Sequence, residues 1–149
     1  MATEVLGMSF EVTSAWLIWI LPFAAALIMP GIGKLSKKST GYVAVGFALM
    51  SALSAASLIP LALEAGEVHS QIMWIEALGI KAGVLADPLS IIMANVVGWI
   101  SFLIMIYSTG YMKGDKDITR FWFWMLFFIG SMQLIVLSDN LLQVFFGWE

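Results

Sequence analysis

The sequence predicts an all-α integral membrane fold: four transmembrane helices, a fifth run of the same character, and a short β-hairpin in the loop between helices 2 and 3. Three observations carry that reading. Hydrophobic residues make up 61% of the chain and charged residues 11%, with a mean hydropathy of +0.96. A soluble domain is about a quarter charged and under half apolar, so this supply cannot clothe a water-facing surface. Apolar runs long enough to cross a bilayer recur along the chain, and the few charges gather between them.

Composition also excludes chemistry. The absence of cysteine removes disulfides, thiolate metal sites, iron–sulfur ligation and thiol nucleophiles from this chain. A single histidine, His69, leaves no His-cluster metal site and is read as a loop residue rather than a ligand. A net charge of −3 without a basic run speaks against a nucleic-acid partner.

Residues 1–149 read as one membrane domain with spans at about 15–33, 41–63, 88–111, 121–137 and 140–149. Residues 1–14 carry Glu4 and Glu11 and no basic residue, which argues against a secretory signal. The first run contains Pro22 and Pro30, tolerable in a membrane helix when a neighbour satisfies the freed carbonyls. Lys34, Lys37 and Lys38 form a basic turn. The second run carries no charge, and its small residues Gly46, Ser51, Ala55 and Ala56 would let another helix come close. Glu64, Gly66, Glu67 and His69 then make a polar turn. Gln71 to Leu78 and Gly79 to Leu85 read as two short strands around Gly79. Asp87-Pro88-Leu89-Ser90 is a helix start, Asp at the cap and Pro in the first turn. The loop from Lys113 to Arg120 leads to the fourth run, whose opening aromatics Phe121, Trp122, Phe123 and Trp124 suit the headgroup region.

Six of the seven basic residues fall in the first and third loops. By the positive-inside rule those loops face the cytoplasm, and the N-terminus and the hairpin lie outside.

Ser138-Asp139-Asn140 opens the fifth run, which is expected to be a span cut short at Glu149. Ten residues at ~1.5 Å each carry Glu149 roughly 15 Å inward, near the middle of a ~30 Å core. A carboxyl there costs about 2.5–3.5 kcal/mol to insert, so it is a functional candidate by default, able to take or release a proton as a partner's charge moves. Asp87 and Asp139 stand at helix starts as caps or outer-face relay groups. Ser101, Ser108, Ser131 and Gln133 read as helix–helix hydrogen-bond partners, and Arg120 as an interfacial anchor.

Four motifs in order, Asp87-Pro-Leu-Ser, Phe102-Leu-Ile-Met-Ile-Tyr-Ser-Thr-Gly-Tyr-Met112, Thr119-Arg-Phe and Ser138-Asp-Asn-Leu-Leu…Phe146-Gly-Trp-Glu149, resemble the large antiporter-like subunit (chain 5, or L type) of respiratory complex I, NADH-quinone oxidoreductase, itself related to the first Mrp-type Na⁺/H⁺ antiporter subunit. The likeness covers the last 63 residues well and the first 86 only by topology. Met105 departs from it, since many members carry a histidine there. The resemblance implies an N-terminal part of a subunit that moves protons as electrons pass from NADH, or a related donor, to a quinone. It implies that Glu149 pairs with a lysine on a later, broken helix. It also implies that NADH, flavin, iron–sulfur and quinone sites belong to partner subunits, with no catalytic, cofactor or metal residue in this chain. The expected partners are other membrane subunits, the lipid bilayer and protons, and the expected location is a prokaryotic cell membrane. An Mrp-type antiporter subunit or a membrane-bound hydrogenase subunit is the neighbouring reading, and a non-transporting membrane scaffold the one from another class.

Overall fold

A computed structural model describes residues 10–149; Glu4 and the rest of the first nine positions lie outside the described residues. Helix α1 runs Phe10–Leu35 and α2 Lys37–Ala56, with a short α3, Ile59–Leu63, behind it. Strands β1, Val68–Ile75, and β2, Ile80–Ala86, enclose a 3-10 turn at Glu76–Leu78. Helices α4, Pro88–Tyr111, α5, Ile118–Leu137, and α6, Leu141–Trp148, complete the order. Among the described residues, four units are long and apolar enough to cross a membrane: Phe10–Leu35, Lys37–Leu63, Pro88–Tyr111 and Ile118–Leu137. The predicted class is the observed one.

The helices begin earlier than the apolar runs do. Helix α1 starts at Phe10, α2 at Lys37 and α5 at Ile118, not at 15, 41 and 121. An α-helix satisfies its own backbone, so it continues through the headgroup region where charged side chains are tolerated; an apolar run marks lipid contact rather than the helix end.

Both prolines of α1 lie inside a continuous helix. Proline lacks an N–H, so Pro22 leaves the carbonyl of Ile18 without its intrahelical donor. The Ser51 hydroxyl of α2 donates to that carbonyl in the buried interface. Pro60 likewise falls just past the end of α2, where the helix breaks at Ser57-Leu58. There the Asn95 amide of α4 donates to the carbonyls of Ala55 and Ile91, 2.9 Å each.

Small residues set the helix spacing. The buried side of α2 is Thr40, Ala44, Ala48, Ser51, Ala52 and Ala55. Opposite it, a β-carbon added at Gly98 of α4 would lie 3.2 Å from the Ala52 α-carbon. This corrects part of the expected stripe: Ser51 and Ala55 are in the contact, whereas nothing stands within 4 Å of a β-carbon at Gly46, and Ala56 is only partly buried. Two apolar clusters result. One, at the hairpin end, gathers Ile18, Leu58, Val84, Ile91 and Leu137. The other, toward the basic loops, gathers Met29, Met105, Trp122, Leu126 and Ile129.

The hairpin is antiparallel, Val68 opposite Ala86 and Met73 opposite Lys81, with an irregularity between Met73 and Ile75. Gly79 takes the left-handed conformation (φ 64°) that ends the 3-10 turn, a conformation that suits glycine. The first strand begins at Val68 rather than Gln71 and so includes His69. Val84 and Ala86 are fully buried, and Trp16 of α1 donates through Nε1 to Ser70 Oγ at 3.1 Å. The hairpin is therefore a lid on one end of the bundle.

Ser51→Ala should cost about 1 kcal/mol, the usual worth of such a bond in a membrane bundle. In a Pro22→Ala background the loss should nearly vanish, because the restored N–H serves Ile18. A double-mutant cycle of unfolding in mixed micelles checks this; equal losses in both backgrounds would detach Ser51 from the proline.

Candidate functional site

The residues singled out by sequence fall at two places, the start of α4 and the start and end of α6. Asp87 caps α4: its Oδ1 accepts from the Ser90 N–H at 2.7 Å, with Pro88 in the first turn. Bonding to Ser90, first through its side chain and then through its backbone, holds the Asp87 carboxyl below its ordinary value. The cap half of the cap-or-relay reading is what this geometry shows.

The cap of α6 is Asn140, not Asp139. Asn140 Oδ1 accepts from Gln143 N at 2.9 Å, and its amide donates to Lys81 O at 3.0 Å and to Asp139 Oδ1 at 2.7 Å. Asp139 turns back to the hairpin, where its Oδ2 receives Gln71 Nε2 at 2.6 Å and meets His69 Nε2 at 3.2 Å. Its side chain is 3% exposed against 50% for His69. Burial works to raise the Asp139 carboxyl, but hydrogen bonds from Gln71, Asn140 and His69, with the His69 charge, outweigh it and leave the group below its ordinary value. His69 Nε2 also lies 3.0 Å from Gln71 Nε2. When Nε2 bears a proton it donates to Asp139, and when bare it accepts from Gln71.

A third contact was not read from the sequence. Gln143 is buried, and its amide spans both backbone groups of Gly83: Oε1 accepts from Gly83 N at 2.9 Å and Nε2 donates to Gly83 O at 2.8 Å. The side chain stands in for a third strand on the open edge of β2, and Val84 adds a bridge to Ser138. Any β-carbon at Gly83 would collide with the Asp139 carboxylate. Trp74 of the hairpin meets Phe146 of α6 edge-on, ring centres 5.0 Å apart. The lid thus grips the first turns of α6.

Glu149 continues the α6 hydrogen-bond pattern, its N–H donating to Phe145 O at 3.0 Å, roughly 14 Å along the axis from Asn140. Gln143 and Gly147, one turn apart, form the contact side; a β-carbon at Gly147 would lie 2.8 Å from Ile135 Cγ1 and 3.1 Å from Ser131 O. Glu149 lies on the other side with exposed Phe145. Among the described residues it forms no ion pair.

The remaining polar candidates divide. Gln133 does cross between helices, donating to Ala94 O at 3.0 Å, and its Oε1 is buried without a partner. Ser108 instead bonds Ile104 O within its own helix, the i−4 back-bond that hydroxyls make readily in apolar helices. Met105 is fully buried in the core. Arg120 is exposed where α5 begins. Asn95, unremarked in the sequence, is the polar residue that joins α4 to the break after α2, its Oδ1 buried and unpaired. Among the described residues no group of three or more His, Asp or Glu is placed to hold a metal ion.

Such a bundle, lidded by a hairpin that grips the start of α6, defines a polytopic α-helical membrane protein. Residues 73–122 match the family model described as NADH-ubiquinone oxidoreductase (complex I), chain 5 N-terminus. The chain is 38% identical over 140 residues to NADH-quinone oxidoreductase subunit L of Rickettsia bellii, covering 91% of this chain and 22% of that protein. It is 36% identical over 135 residues to NADH-ubiquinone oxidoreductase chain 5 of Dictyostelium citrinum, covering 87% of this chain and 20% of that one. In fold it is similar to a chain in the structure of the Mrp complex from Dietzia sp. DQ12-45-1b, with a TM-score of 0.76 at 24% identity over 90% of this chain and 14% of that one. The chain spans about a fifth of the length of the curated relatives it matches. The resemblance read from the motifs therefore holds: this chain is similar to the N-terminal region of the complex I chain 5, or subunit L, type. The similarity reaches well before Asp87, into the first two spans, where topology alone had pointed to it.

Gln143→Ala should lose about 2 kcal/mol, because it removes two hydrogen bonds and strands the buried Gly83 groups. Hydrogen exchange at Gly83 should accelerate with it; unchanged exchange would mean that the amide is not what closes the β2 edge.

Asp139 gives a pH signature. A carboxyl whose folded value lies below its ordinary 3.8 contributes stability that is complete above that value and is lost as pH falls through the lowered one. Asp87 contributes in the same window. Asp139→Asn should flatten, without abolishing, the acid-side fall in thermal stability between about pH 5 and pH 2; a profile identical to wild type would remove Asp139 from it.

Proposed function

We propose that this chain serves as the N-terminal part of a proton-translocating membrane subunit in a complex I-like NADH:quinone oxidoreductase, with Glu149 as its protonatable group. The observation that carries the reading is the likeness to subunit L and chain 5 over about nine-tenths of the chain, joined to an acid held on a helix that the hairpin lid fixes. Glu149 faces away from α5 and β2, so a cation belonging to the proposed mechanism would meet it from the open side of α6. A carboxylate and a cation there trade a proton as the distance between them changes. Asp87 and Asp139 are structural in this reading, a cap and a lid contact.

The redox chemistry belongs, in the proposal, to other subunits that hold NADH, flavin, iron–sulfur clusters and quinone. This chain alone would insert in a membrane and neither oxidise NADH nor conduct protons. We assign it to a prokaryotic cell membrane with the hairpin end and the N-terminus outside, because six of seven basic residues lie at the other end. A second reading, an Mrp-type antiporter subunit, is favoured by the shared fold with the Mrp complex chain; sodium-dependent proton flux would select it.

Glu149→Gln in the assembled native complex should leave assembly intact, since the amide keeps size and hydrogen bonding while removing a charge that is costly in lipid. Proton pumping should fall at least ten-fold, about 1.4 kcal/mol or more of lost coupling, and Glu149→Asp should retain part of it. Quinone reduction and ΔpH formation measured together in membrane vesicles decide the matter. Wild-type pumping by Glu149→Gln at equal assembly would end the claim for Glu149.

A further inference from the structure

We infer that the cleft between the C-terminal end of α1 and the N-terminal end of α5 binds the phosphate of an anionic phospholipid headgroup. The cleft has a volume of about 770 Å³ and is bordered by Lys34, Lys37, Lys116 and Arg120, with Asp117 the one acid on its rim. Among the described residues none of these cations is paired with a carboxylate; the ion pair that exists, His69–Asp139, is at the opposite end of the bundle. Lys37 Nζ donates to Lys116 O at 3.0 Å, which ties the two basic loops together and leaves the ammonium charge unneutralised. Four cations around one cleft raise its positive potential and favour an anion among them.

The floor and wall of the cleft suit a phosphate diester. A β-carbon at Gly33 would collide with the Thr119 side chain, so Thr119 lies directly on the α1 backbone. Its hydroxyl is enclosed there and has no partner among the described residues, so a turn of the side chain out of the α1 contact makes it a donor for a phosphate oxygen. The side chain of Asp117, at the cap position of α5, makes no cap bond, so the first N–H groups of α5 add partial positive charge at the same place.

The wall on the lipid side is Phe123 and Trp124, rings of the kind that sit where headgroups meet acyl chains. A free phosphate ion would leave that wall unused, whereas a phospholipid occupies both halves. Basic pockets between membrane helices at such a depth fit acidic headgroups in general.

The test reads lipid binding, not proton movement, so its outcome is separate from that of the proposed function. The purified protein is titrated in a zwitterionic detergent with phosphatidylglycerol, phosphatidylcholine and inorganic phosphate, and bound lipid is counted by native mass spectrometry. Phosphatidylglycerol should be retained about ten-fold over phosphatidylcholine, and Lys34→Gln or Arg120→Gln should each reduce its binding about five-fold, as expected for one cation near the headgroups. Lys113→Gln, outside the cleft, should change it less than two-fold. Far-UV circular dichroism confirms that each variant is folded. Equal retention of the two lipids, or equal loss from Lys113→Gln and Arg120→Gln, would overturn the site in favour of diffuse surface charge. Displacement of the lipid by millimolar inorganic phosphate would overturn the lipid assignment in favour of a free-ion site.

Discussion

Wherever this chain breaks its regular backbone in an apolar surrounding, a carbonyl or N–H loses its partner, and the interior has no water to offer in exchange. The rest of the architecture follows from how those groups are served. Pro22 frees Ile18 O, and Ser51 of α2 supplies the donor. At the break before Pro60, Ala55 O keeps only a 3.2 Å bond from Leu58 N–H, and Asn95 of α4 adds a second donor. The open edge of β2 is met by Gln143 of α6. Each donor comes from a different helix, so each bond also sets the height of one element on another: α2 on α1, α4 on α2, and α6 on the hairpin. An unserved buried group would cost about 1–3 kcal/mol at each place, more than one additional apolar contact returns.

Between those bonds α2 meets its neighbours through small residues rather than large ones. The buried side of α2 is alanine and hydroxyl residues throughout, and Gly98 on α4 faces Ala52. Lipid tails are as apolar as a leucine side chain, so packing leucines together gains little in a membrane; close backbone approach gains dispersion contacts that lipid cannot match. This is why exposed Leu27, Ile92, Leu103 and Phe128 turn outward, a pattern that would be inverted in water.

The features legible in the sequence are those decided within a turn or two of the chain. Four spans, the hairpin around Gly79 and the Asp87 cap all rest on local patterns, and all appear among the described residues. Asp139 and Asn140 could not be separated in this way. Both residue types cap helices well, they are adjacent, and the choice is made by His69 and Gln71, which lie some seventy residues earlier and take Asp139 away. Gln143 was invisible for the same reason: a glutamine near a helix start suggests nothing until the β2 edge arrives beside it. Pro22 announced that a donor was needed, and Ser51 stood among the small residues already marked for packing. Only the crossing of α1 over α2 joins those two facts.

The start of helix α6 (Leu141–Trp148) is tied to elements far from it in the chain. Its position is set from outside, by Asn140 and Gln143 on the hairpin and by Gly147 on the Ser131–Ile135 turn of α5. Residues 143 and 147 share one side of the helix, so the opposite side, with Phe145 and Glu149, is left uncommitted. The consequence for the proposed mechanism is geometric. A helix held at its start and along the Gln143–Gly147 side carries Glu149 at a height fixed by those contacts. In the proposed mechanism, the hairpin, although remote from Glu149 along the chain, would set the height at which that carboxylate meets a cation.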